Sequence, residues 1–284
     1  MGMVRNNLRR VAALSTRFIA RRWGESFPFY YIIEYPKSGG TWLSNMVADY
    51  LQLPRPRHYL APLAFSCVVQ WHCRYSPHYR RVWFMYRDGR DVAVSHYFHR
   101  MREMVHNPHS ADGVYARRVY PQLFGAGFNH EDIRVNLPRF IEHEARNPRS
   151  APLNWSAFME EWHGRASNVV PVSYEELLAD TAGTLARIIP QHTGQPVDMQ
   201  RLETTVRRFS FESQTGRKPG QEDQKSFLRK GIAGDWKNHF TRESAEVFDR
   251  FHGPTLVKLG YEPDNSWVSR QVPLRQIAEA NRQP

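Results

Sequence analysis

Five consecutive positions in the stretch YPKSGGTW, Lys37, Ser38, Gly39, Gly40 and Thr41, combine a cation, two hydroxyls and two glycines. Adjacent glycines let a chain turn tightly and bring its backbone N–H groups against an anion, and the hydroxyls add donors. The nucleotide-binding P-loop runs G-x-x-x-x-G-K-[ST], with its lysine near the end. Here Lys37 comes first. Backbone N–H groups and hydroxyls can hold an anion, and the lysine does not take the place it has in that loop. A glycine-rich turn with a solvated lysine is the competing account of these residues taken alone.

Two later segments gather further anion-binding groups. YRDGRDVAVSHY (86–97) carries Arg87 and Ser95, and RKGIAGDWKNHFT (229–241) carries Arg229, Lys230 and Gly231. A guanidinium presents a fork of donors that matches a phosphate. Pairing with Asp88 and Asp91 is the competing role, and it suits Arg90 better than Arg87. With 13 histidines, count alone singles out no general base. His72 follows the apolar run Cys67, Val68, Val69, which reads as a strand and would present the ring at its end. His78, His96 and His99 are the other candidates.

The elements that must position these groups are legible around them. FPFYYIIEY (27–35) is aromatic and β-branched, a strand signal. After the loop, Leu43, Met46, Val47, Tyr50 and Leu51 keep helical spacing, so the loop joins a strand to a helix N-terminus, where exposed N–H groups favour an anion. RVWFMY (81–86) and NVVPVSY (168–174) are further strands, each running into a helix. Strand then helix, three times over, predicts a single α/β domain with a central parallel sheet flanked by helices on both faces. Residues 98–150, poor in pattern, read as a loop-and-helix insertion. Trp155, Phe158, Met159 and Trp162 share a helical face and read as core, and residues 213–230 read as a polar, mobile lid.

Composition bounds the rest. The chain has 284 residues, 41% of them hydrophobic, enough for a sizeable core. Its net charge of +11, from 39 Lys and Arg against 28 Asp and Glu, points to anionic partners. Two cysteines, Cys67 and Cys73, make no disulfide framework and fit no common zinc spacing. No apolar run approaches the ~20 residues that span a bilayer, and no signal-peptide core is present. A cytoplasmic protein is expected. Residues 1–26 form a distinct segment with six arginines (5, 9, 10, 17, 21 and 22) and Val4, Leu8, Val11, Phe18 and Trp23 near helical spacing. This basic amphipathic helix reads as a peripheral membrane contact, a transit-like leader or a terminal helix docked on the domain of residues 27–284.

The three motifs, in this order, resemble those of sulfotransferases that use 3′-phosphoadenylyl sulfate (PAPS). The resemblance implies a P-loop NTPase-like α/β fold and no metal. It assigns Lys37, Ser38, Gly39, Gly40, Thr41 and Trp42 to the 5′-phosphosulfate. Arg87, Ser95, Arg229, Lys230 and Gly231 go to the 3′-phosphate, and Trp42, Tyr174, Ser210 and Phe211 to adenine. It makes His72 the base and Lys37 the group that stabilises the departing phosphate, with adenosine 3′,5′-bisphosphate (PAP) as product. Gln70 and Trp71 depart from the family, which has a lysine and a small polar residue there. The C-terminal part lacks the K-x-x-x-T-V-x-x-x-E dimer signature of cytosolic animal sulfotransferases, so the oligomeric state is open. The implied acceptor is a hydroxylated glycan, glycolipid or small molecule, not nucleic acid. Two alternatives stand beside this reading: a P-loop kinase or NTPase, and a basic polyanion-binding protein.

Overall fold

The computed structural model describes residues 29–56, 66–125, 127–165 and 168–280, together with residues 11, 14, 15, 18, 19, 22 and 23. Those seven are helical, and Val11, Leu14 and Phe18 among them are 60, 62 and 64% exposed. The rest of the helix expected over residues 1–26, with Arg5, Arg9, Arg10, Arg17 and Arg21, lies outside the described residues. No described helix is long and apolar enough to cross a membrane.

The fold is the expected α/β one. Strands β1 (Phe29–Glu34), β2 (Cys67–Trp71), β3 (Val82–Tyr86) and β4 (Val169–Ser173) form one parallel sheet in the order β2-β1-β3-β4. Tyr31, Ile32 and Ile33 of β1 are fully buried, as a parallel strand covered on both faces must be. Consecutive residues of β3 point to opposite faces. Phe84 stacks on Trp162, 6.1 Å between centroids, whereas the Trp83 indole N–H donates to the Ile188 carbonyl at 3.0 Å. Helices therefore cover both sides. Pro171, which cannot donate to a ladder, sits on β4, which among the described residues is an edge strand hydrogen-bonded only to β3.

Helix α1 (Gly40–Leu51) follows β1, and α2 (Gly89–His106), α3 (Ala111–Phe124) and α4 (Ile133–Arg146) follow β3. Then come α5 (Trp155–Trp162), and after β4 α6 (Tyr174–Ala179), α7 (Thr181–Ile188), α8 (Pro190–Thr193), α9 (Met199–Arg208) and α10 (Phe211–Thr215). Helices α11 (Arg242–Lys258) and α12 (Leu274–Ala280) end the chain's order. The elements group into two compact units, Met1–Arg87 with Phe158–Arg217, and Asp88–Ala157 with Lys218–Pro284.

The first unit holds the sheet. Leu43, Met46 and Val47 of α1 are fully buried, each contributing about 1.5–3 kcal/mol. From β1 the chain passes to β2 on one side and returns to β3 on the other. Ligand sites in such sheets lie beyond the carboxyl ends of the strands at this reversal. The residues just past those four ends are the Tyr35–Thr41 loop, His72, Arg87 and Tyr174.

In the second unit, Asp88 caps α2, accepting from the Arg90 N–H at 2.9 Å. Arg90 is buried, pairs with Asp88 at 2.8 Å and with Glu262, and lies 3.8 Å from the Trp236 ring centroid. Asp91 accepts the backbone N–H of Gly234 at 2.7 Å and of Trp236 at 2.9 Å, locking the RDGRD and GDWKN segments together. Residues 98–150 are more regular than expected. α2 continues to His106, and α3 and α4 follow with Tyr120, Leu137 and Phe140 in the core. Arg100, buried among them, donates to Asp112 at 2.6 Å and Ser150 at 2.7 Å.

Candidate functional site

The loop between β1 and α1 is held in an unusual backbone. Lys37 has φ +75° and Gly39 φ +101°, both in the left-handed region that disfavours a side chain. A Cβ on Gly39 would lie 2.7 Å from the Tyr174 ring and 2.9 Å from Met85 Cε, so only glycine fits there. Gly39 caps α1 without a side-chain hydrogen bond. Ser38 is fully buried, and its Oγ has no hydrogen-bond partner among the described residues. An orphaned hydroxyl at a helix N-terminus, in a turn with two glycines, matches the needs of an anion.

The neighbouring strand ends bring further candidates to this loop. The Arg87 guanidinium lies 4.1 Å from the Tyr174 ring centroid and reaches toward the Lys37 carbonyl at 3.5 Å. Tyr174 meets Trp42 edge to face, 6.1 Å between centroids. The Trp42 indole N–H donates to the Phe209 carbonyl at 2.9 Å, which ties the α1 start to the Ser210–Phe211 segment. Ser210 caps α10, its hydroxyl accepting from the Ser213 N–H at 3.1 Å. Lys37 to Trp42, Arg87, Tyr174, Ser210 and Phe211 thus form one neighbourhood in the first unit.

His72 stands just beyond β2, half-buried, with Nδ1 2.9 Å from the backbone carbonyl of Glu34. A carbonyl only accepts, so Nδ1 carries the proton in this contact, and in the neutral ring the lone pair is then on Nε2. That is the tautomer a general base needs. His96 and His99 are engaged elsewhere, His96 with Ser150 at 3.1 Å and His99 with Asp112 at 3.8 Å.

Glu34 is the functional-site residue that sequence reasoning passed over. Its buried carboxylate accepts the backbone N–H of Gly40 and the side-chain amide of Gln70. Gln70 also accepts from Arg55 and donates to the Thr41 hydroxyl at 3.1 Å. An acid ending an otherwise apolar strand was the available signal.

The second unit carries the remaining candidates. Arg229 and Lys230 converge on Asp235, the lysine at 2.6 Å, and Asn238 and His239 donate to the same carboxylate at 2.9 and 3.2 Å. These donors hold the Asp235 carboxyl well below the usual carboxylate range. Arg229 lies 4.4 Å from the Phe98 ring centroid, and Ser95 is half-buried three residues earlier on the same face of α2. Gly231 follows with φ +66°. Burial pushes the Cys67 thiol up to about 12, which makes it a poor nucleophile. Among the described residues no three His, Cys, Asp or Glu side chains group as metal ligands.

The chain is similar to known proteins of one family. A family model described as a sulfotransferase domain matches residues 79–260. Human Sulfotransferase 2A1 is 28% identical over 193 residues, 64% of this chain and 58% of that protein. The chain thus spans about three fifths of that relative's length. The structure of mouse sulfotransferase SULT7A1 complexed with PAP superposes with a TM-score of 0.57 at 19% identity, over 80% of this chain and 84% of that one. Retinol dehydratase in complex with androsterone and PAP gives 0.57 at 16% identity, over 85% of each chain. Both likenesses are of fold.

Proposed function

The chain belongs to the sulfotransferase family, and from that premise we propose that it is a PAPS-dependent sulfotransferase acting on a hydroxyl group. The observation that carries the proposal is the buried, unpartnered Ser38 hydroxyl in the glycine loop after β1. Leaving a buried hydroxyl without a partner costs about 1–3 kcal/mol, a cost that an anionic ligand in the loop removes.

Ser38, Gly39, Gly40 and Thr41 are assigned to the 5′ end of the nucleotide. Arg87 is assigned to the 3′-phosphate, and so are Ser95, Arg229, Lys230 and Gly231. Trp42, Tyr174, Ser210 and Phe211 are assigned to adenine. Bound there, PAPS supplies the sulfuryl group and is left as PAP. The chain's own part is positioning and charge stabilisation, as in phosphoryl transfer. His72 Nε2 takes the proton of the acceptor hydroxyl while its Nδ1–H stays on Glu34. Lys37 offsets the negative charge that develops on the departing phosphate.

The acceptor is read as a hydroxylated glycan, glycolipid or small molecule. The androsterone bound to retinol dehydratase, itself a hydroxysteroid, supports that class. The transferring domain is read as residues 27–284 of a cytoplasmic protein. A peripheral membrane contact through residues 1–26 is favoured by the exposure of Val11, Leu14 and Phe18 beside an arginine-rich sequence. Co-sedimentation with anionic vesicles, lost on deleting residues 1–26, tests that contact.

The test of the main reading is calorimetry with PAP, followed by labelled PAPS against a panel of hydroxylated acceptors. Micromolar PAP binding that weakens with salt is expected; no binding at low salt overturns the reading.

A further inference from the structure

Arg229 divides its guanidinium between two acids of different character. One edge, Nη2, is on Asp235, which is 2% exposed. The other, Nη1, is on Glu222 at 2.5 Å, and that carboxylate is 29% exposed. The second contact is built by the backbone. The Gly220 N–H donates to the Lys230 carbonyl at 2.8 Å, and the Asp223 N–H to the Arg229 carbonyl at 2.9 Å. These two bonds run residues 220–223 alongside residues 229–230. The turn is closed by the Ser226 N–H on the Asp223 carbonyl at 3.1 Å and the Lys225 N–H on the Asp223 carboxylate at 2.9 Å. Glu222 is thereby placed on Arg229 by the path of the chain.

We propose that Glu222 is a resident counterion of the 3′-phosphate site, holding Arg229 until a phosphate takes its place and reclaiming it when the nucleotide leaves. The proposal rests on the assignment of Arg229 to a 3′-phosphate under Proposed function. Asp235 and Glu222 then play opposite parts. Asp235 is buried with four donors on it, so it stays and fixes where Arg229 and Lys230 point. Glu222 is far more solvent-accessible than Asp235, so water replaces its contact at a lower cost than burial would impose on Asp235. A monoanionic carboxylate occupies the edge of the fork that a dianionic phosphate fills more strongly. Glu222 therefore opposes 3′-phosphate binding and speeds its release, and it keeps Arg229 from capturing weaker anions.

Replacing Glu222 removes the competitor, so affinity must rise, an outcome that loss of a merely structural contact does not give. Glu222→Gln and Glu222→Ala are each expected to bind PAP roughly three- to tenfold more tightly than the wild-type chain at fixed ionic strength. Most of the gain is expected as slower dissociation. Adenosine 5′-phosphosulfate, which lacks the 3′-phosphate, should bind the variants and the wild type equally. Calorimetry and stopped-flow displacement read both quantities. Unchanged or weaker PAP affinity in both variants, with the wild type binding normally, overturns the counterion role alone. A wild-type chain that binds no PAP overturns the functional reading, and this proposal with it.

Discussion

His72 Nδ1 lies 2.9 Å from the backbone carbonyl of Glu34, the last residue of β1. The ring follows β2 and is oriented by β1, two strands in direct parallel register, so its tautomer is fixed by the sheet itself. General-base catalysis by a positioned imidazole contributes about 10²–10⁴ in rate. His72→Ala is expected to lower sulfuryl transfer by that range while PAP affinity stays within about threefold, since no nucleotide contact is assigned to the ring. Near-normal turnover in the variant would remove His72 from the mechanism.

Gly39→Ala tests the loop. The alanine would have to sit at φ +101°, a conformation costing about 1–2 kcal/mol for an L-residue. Its Cβ would also push against the Tyr174 ring, on which Arg87 rests at 4.1 Å. The expected outcome is a stability loss of about 1–3 kcal/mol together with PAP binding weakened at least tenfold. Denaturant titration and calorimetry on the same preparation check both. A variant that loses stability yet binds PAP normally would show that the loop is not the anion site.

What the sequence could reveal follows from where each pattern is written. β1 and β3 are apolar runs buried on both faces, β4 is a short valine-rich run with Pro171 exposed, and the loop after β1 sits at a strand-to-helix junction, so all of these were legible. The glycine at position 39 was visible too, but not the Tyr174 ring that makes it necessary, because that contact joins residues far apart in sequence. Residues 98–150 were obscured by their own chemistry. Arg100, Asn136 and Glu144 are buried polar residues that interrupt the helical pattern of Met101, Tyr120, Leu137 and Phe140. Pro121 and Pro138 stand inside α3 and α4, where a proline masks a helix from a reading of pattern. Glu34 escaped notice because its partners, Gly40 and Gln70, are defined only once β1, β2 and α1 come together.

His252 gives a pH dependence with a definite sign. It is 5% exposed, 2.8 Å from the Ser156 hydroxyl and packed on Phe248, and burial holds its pKa down at about 4 against an ordinary 6.5. Between those values the unfolded chain binds a proton that the folded chain refuses, so stability rises with pH there. The contribution is present above pH 6.5 and is lost as pH falls toward 4, amounting to on the order of 3 kcal/mol. His252→Asn, which keeps a short polar group for Ser156, should remove that slope. Urea denaturation of both proteins at pH 7 and pH 4.5 reads the difference; equal losses in the two would refute the assignment.

Lys37 combines two properties that one substitution can separate. Its backbone is left-handed, φ +75°, and its carbonyl faces Arg87, so its conformation belongs to the architecture of the loop. Its ammonium is the charge assigned to the departing phosphate. Asparagine tolerates the left-handed region better than other non-glycine residues, so Lys37→Asn preserves the turn and deletes the cation. If the charge acts mainly as the bond breaks, its loss falls on turnover more than on ground-state binding. The expected result is transfer slowed by about 10²–10³, the scale of removing one preorganised electrostatic group, with PAP affinity reduced less than tenfold. Lys37→Gly, which also relieves the backbone, should behave the same way. Parallel losses of PAP affinity and turnover in both variants would instead make Lys37 a nucleotide anchor with no separate part in the reaction.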